Sequence, residues 1–111
     1  MNDFTSSATQ ALLHRYIDSL GEKADSIEAS RTTLLDHPDD RAQWQSLKLS
    51  IHRLSGSAGA YGFDAIGELA KQADILIRAL LERDAIVDPA EFERIDGLVV
   101  RLVGELRNPA A

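Results

Sequence analysis

The sequence predicts an all-α protein, an antiparallel four-helix bundle with an additional or bent N-terminal helix. Three observations predict it. Apolar residues recur at helical spacing along nearly the whole of the 111 residues. The three prolines, Pro38, Pro89 and Pro109, all fall where a helix can begin or end. No hairpin signal interrupts the pattern, and no polar–apolar alternation is long enough for a strand. A chain of this length makes one domain, residues 1–111, and buries roughly 65% of the surface its unfolded form exposes.

The first helical stretch runs from about Ser6 or Ser7 to Leu20, with Leu12, Leu13, Tyr16, Ile17 and Leu20 on one side. Gly21 is a point where it can break, and Glu22 to Leu35 continues with Ala24, Ile27, Leu34 and Leu35. Ser30 and Arg31 dilute that second stripe. Asp36 to Asp40 reads as a loop in which Asp39 or Asp40 caps the next helix.

That next helix spans about Asp40 to Ala60. Trp44, Leu47, Ile51, Leu54, Ala58 and Tyr61 recur at spacings of 3, 4, 3, 4 and 3, a buried helical seam, and Gly62 marks its end. A third run from Asp64 to Leu81 or Arg83 carries Ile66, Leu69, Ala70, Ala73, Leu76, Ile77 and Leu80. The last places Phe92, Ile95, Leu98, Val99, Leu102, Val103 and Leu106 on one face. Its start at Asp88-Pro89, with Glu91 three residues after Asp88, has the form of a reciprocal cap. Short connections make these faces satisfy one another as a bundle.

Composition narrows the function. Twelve Lys and Arg against eighteen Asp and Glu give a net charge of −6, which disfavours nucleic acid as partner. With no cysteine there is no disulfide or thiolate chemistry. No apolar run approaches the ~20 residues that span a bilayer, and Met1 to Phe4 lack the features of a signal peptide. A cytoplasmic location without membrane contact is expected. No phosphate-binding loop or kinase ATP motif occurs, so no ATP-dependent kinase activity is expected of the chain itself. No Glu-x-x-His pair occurs, and no metal site is expected. Glu68 and Asp74 read as solvated surface charge.

The residues that the seam does not use are the informative ones. Around His52, Lys48 lies four positions before, Ser55 and Gly56 three and four after, and Gly59 seven after, all near one face turned from Ile51 and Leu54. Each glycine costs about 1 kcal/mol of helix stability relative to alanine. Clearance around a reactive imidazole is one use for them. A neutral ring nitrogen can attack phosphorus, and Lys48, Arg53, Ser55 and Ser57 are candidate donors to the anion. The alternative reading also stands: a surface histidine, with glycines that let helices pack closely. His14 and His37 have structural roles.

The segment Ile51 to Phe63 reads IHRLSGSAGAYGF. It resembles the signature of histidine-containing phosphotransfer (HPt) domains of bacterial two-component phosphorelays, in which a histidine precedes a variable residue, an apolar one, usually lysine, then glycine, small residues and a second glycine. The likeness covers about residues 13–106. It implies His52 as phosphoacceptor at Nε2, Leu54 in the core, Ser55 at the usual lysine position, Gly56 as the clearance glycine and Gly62 as the later one. Serine in place of lysine implies weaker stabilisation of the phosphoryl group. It further implies a histidine phosphotransfer protein relaying phosphoryl groups between aspartates of receiver domains, those of response regulators or of a hybrid kinase. Magnesium is then expected in the partner receiver, with no cofactor bound by this chain. Ala60, Tyr61 and Phe63 are interface candidates, with core or helix-end packing as their other reading. A monomer is expected. The competing class is a helical adaptor that binds a signalling partner without phosphotransfer.

Overall fold

Helix α1 (Ser7–Asp36), α2 (Arg41–Ala60), α3 (Asp64–Glu82) and α4 (Pro89–Arg107) succeed one another in a computed structural model that describes residues 7–84 and 86–110. The expected start at Ser6 and the reading of Met1 to Phe4 lie outside the described residues. Each helix packs on its neighbours in chain order, and α4 closes against α1. Cross-helix bonds fix the directions. Ser30 and Tyr16 of α1 meet Gln43 and Ser57 of α2. Arg31 and Asp25 meet Asp96 and Arg107 of α4. In both pairings one number rises as the other falls, so the bundle is antiparallel.

α1 is one helix of 30 residues, so the expected break at Gly21, and with it a separate N-terminal helix, is corrected. Gly21 is exposed, while Leu20, Ala24 and Ile27 around it are at most 1% exposed. Their burial, about 1.5–3 kcal/mol for a large side chain, outweighs the cost of one glycine. The diluted stripe also has a cause. Ser30 is buried and accepts a hydrogen bond from Gln43 Nε2 at 2.8 Å. Arg31 forks onto Asp96 at 2.7 and 3.2 Å and also reaches Glu28. Not all of the predicted α1 stripe is core: Leu12, Ile17 and Leu35 are exposed, and the first buried position is Tyr16.

The termini show which capping residues act. Asp40 accepts from Gln43 N and caps α2, whereas Asp39 accepts from Val87 N in the loop before α4. Gly62, with φ +87°, ends α2: its N–H donates to Gly59 O, and Phe63 N–H to Ala58 O, a left-handed glycine turn. The reciprocal cap expected at α4 does not form. The Asp88 side chain makes no cap bond, and the Glu91 side chain, which would reach back to Asp88 N–H, accepts instead from Arg83 at the end of α3. Pro89 at the first turn still sets the helix start.

The core holds the predicted α2 seam from Trp44 to Ala58, but Tyr61, its expected last member, is exposed because the helix ends at Ala60. Trp44, Leu47, Ile51, Leu54 and Ala58 face Ile66, Ala70, Ala73, Ile77, Ile95, Val99 and Leu102. Trp44 donates from Nε1 to Pro38 O at 2.7 Å, so its one polar atom is satisfied. Gly67 lets α3 lie close on the backbone of α2: a Cβ there would stand 3.5 Å from Gly59 N and 3.7 Å from Ser55 O. Among the described residues no helix is long and apolar enough to cross a membrane.

Candidate functional site at the α2–α3 groove

His52 is carried between two core residues. Ile51 and Leu54 are buried, and the helix therefore turns His52 outward with 58% of its side chain exposed. Its ring is nonetheless held. Nδ1 lies 3.0 Å from Asp74 Oδ2 on α3. A carboxylate accepts hydrogen bonds and donates none, so Nδ1 carries the proton and Nε2 is left with a free lone pair.

Asp74 is 5% exposed, which corrects its reading as a solvated surface charge. α3 forces the burial. Asp74 stands four residues after Ala70 and three before Ile77, inside the apolar stripe that faces α2. The same oxygen that meets His52 also accepts from Arg78 Nη2 at 3.0 Å, one turn along α3. The second oxygen, Oδ1, is buried with no protein partner. A buried carboxylate bound on one oxygen is costly to keep, and such a cost is typical of a residue retained for chemistry.

The other expected residues divide. Lys48 is half-buried and lines an open groove with Leu49, His52, Arg78, Leu81 and Glu82. Arg53 is exposed and is not part of that groove. The Ser55 hydroxyl donates to the carbonyl of His52 at 2.6 Å, the back-bond a helical serine makes to its own preceding turn. The Ser57 hydroxyl is paired with Tyr16 OH at 2.8 Å.

Gly56 and Gly59 are exposed, and a Cβ on either would meet nothing within 4 Å. They open the surface beside His52, and the close packing of helices belongs to Gly67, which sequence reasoning missed. Ala60 and Tyr61 are exposed, with the Tyr61 ring stacked on Tyr16 at 4.1 Å between centroids. Phe63 is 4% exposed, so its interface reading is corrected: it is core, anchored by the turn at Gly62.

An outward imidazole, its tautomer set by a buried acid and its flank cleared by two glycines, is an arrangement for a nucleophilic ring nitrogen open to a large partner. A family model, the Hpt domain, matches residues 11–108. The chain belongs to the Hpt domain family. Hpt domains serve histidine phosphotransfer in phosphorelays and interact with receiver domains of response regulators. The match takes in all of α2, α3 and α4 and nearly all of α1, slightly beyond the resemblance read from residues 13–106. No curated protein matches the chain. In this Hpt domain the motif occupies the second half of α2 and the turn into α3, so its histidine and its later glycine lie at opposite ends of a short rigid segment.

Proposed function

We propose that this Hpt domain relays phosphoryl groups between receiver-domain aspartates through a phosphohistidine at Nε2 of His52. The observation that carries the reading is the bond from His52 Nδ1 to the buried Asp74. The Nε2 lone pair attacks the phosphorus of a receiver's aspartyl phosphate in line with the bond that breaks. An N–P bond forms, the acyl P–O bond breaks, and its electron pair leaves with the receiver's carboxylate. The proton stays on Nδ1, so the ring becomes positive as the bond forms. Asp74, already in place, stabilises that charge without reorganisation. In the second transfer the ring leaves as a neutral imidazole, which makes the phosphoryl group easy to hand on.

Magnesium belongs to the acidic cluster of the receiver in this scheme, and the chain itself binds no cofactor. The partners are receiver domains of response regulators or of a hybrid kinase, in a bacterial cytoplasm, and the domain acts as a monomer. The cleared face at Gly56 and Gly59 supports the close approach that such a partner requires.

Intact-mass analysis after mixing with phosphorylated receivers and magnesium tests the reading. The expected result is a gain of one phosphoryl group that is acid-labile, alkali-stable and missing from His52→Gln. No adduct with any folded receiver in a broad panel returns the protein to the class of binding-only adaptors.

A further inference from the structure

The site as built lacks a cation where the motif resemblance expects one. Position 55 is serine, and its hydroxyl is spent on the carbonyl of His52. A transferred phosphoryl group adds a charge of roughly −1.5 to −2, beside an Asp74 that is already negative. Some positive group must offset both.

We propose that Arg78, assisted by Lys48 across the groove, binds the phosphoryl group on His52 and so takes over the work that position 55 does not do. This rests on the phosphocarrier reading. Arg78 Nη2 and His52 Nδ1 each sit 3.0 Å from one and the same oxygen of Asp74, so the guanidinium lies beside the ring. One of its five N–H donors serves Asp74, and the side chain is 49% exposed, free to turn the rest toward the groove. Its planar fork matches two phosphoryl oxygens at once. Lys48 stands one helical turn before His52 on the same face and lines the same groove. Glu82, a turn beyond Arg78, is the groove's acid. It repels a phosphoryl group, which leaves Arg78 the more needed. Arg53, next to His52 in sequence, is outside the groove. Arg78 thus bridges the acid that orients the nucleophile and the anion the nucleophile receives.

The test is single-turnover transfer from a phosphorylated receiver, with the lifetime of the phosphohistidine, in the parent, Arg78→Gln, Arg78→Lys, Lys48→Gln, Ser55→Lys and the Arg78→Gln/Ser55→Lys double variant. Loss of a charge-assisted bond in Arg78→Gln lowers the transfer rate about tenfold or more. Arg78→Lys keeps most of the rate, Lys48→Gln loses less than Arg78→Gln, and Ser55→Lys restores most of what Arg78→Gln loses. A parent rate in Arg78→Gln overturns the proposal. So does a loss that neither lysine recovers, because Arg78 then acts by holding Asp74 and not by its charge at the phosphoryl group. If the parent itself takes up no phosphoryl group, the carrier reading fails and this inference fails with it.

Discussion

His52 and Asp74 are 22 residues apart in the chain and 3.0 Å apart in space, the one exposed and the other buried. The pairing joins two costs, a carboxylate taken out of water and a ring kept in one orientation. Neither helps the bundle stand.

Replacing Asp74 should therefore separate stability from transfer. Asp74→Ala removes an acid whose Oδ1 has no partner and adds the best helix former. Thermal unfolding should change by no more than about 1 kcal/mol in either direction. Transfer to His52 should fall at least about tenfold, the worth of a bond to a charged group. A destabilisation like that of an ordinary core truncation, with transfer intact, would show Asp74 to be structural.

The cleared face gives the same opposition. Gly56→Ala adds a methyl that meets nothing, so the helix should gain about 1 kcal/mol. Receiver-dependent phosphorylation should slow, and Gly56→Leu should nearly abolish it. Denaturation midpoints beside transfer rates check both halves.

Phe63 and Tyr61 are two residues apart and should behave as opposites. Phe63→Ala opens the core and should cost about 3–5 kcal/mol. Tyr61→Ala loses a half-open stack on Tyr16, about 1 kcal/mol, and should weaken receiver binding in a titration.

Arg31 and Asp96 tie α1 to α4 on the side away from His52's groove. The guanidinium is held above its ordinary value by the hydrogen bonds to Asp96. Asp96→Asn should lower stability by about 1 kcal/mol and leave transfer at the parent rate.

The alkaline limb of stability should carry the mark of Tyr16. Burial raises its phenol above 10.0, and the hydrogen bond with Ser57 opposes this only in part. The folded value exceeds the unfolded one, so the contribution is full below pH 10.0 and is lost as pH rises through the raised value. Tyr16→Phe should flatten that part of the curve, measured by denaturation at stepped pH.

The helices are legible in the sequence because their apolar spacing is long and regular, and burial tracks it almost position by position from Trp44 to Ala58. Gly21 misleads because local propensity takes no account of the core residues that override it. His52 is legible from its motif and from the glycines beside it. Asp74 is written in the sequence as well, as an acid at a register position where α3 otherwise carries Ala70, Ala73 and Ile77; read alone as a charge, it looks like surface. The tie of Arg31 to Asp96 spans 65 residues and leaves no local pattern to read. The direction of the Ser55 hydroxyl is a rotamer, which sequence does not carry.

The turn at Gly62 governs more than the end of a helix. It is the fixed point from which α3 is counted, and each residue of an α-helix advances its side chain by about 100°. One residue gained or lost between Gly62 and Asp74 would swing the acid off the imidazole and turn Ile77 and Leu80 off the core by the same angle. A glycine ten residues from the nucleophile thus acts as the origin of a ruler, and the reactive nitrogen keeps its aim only while that ruler reads true.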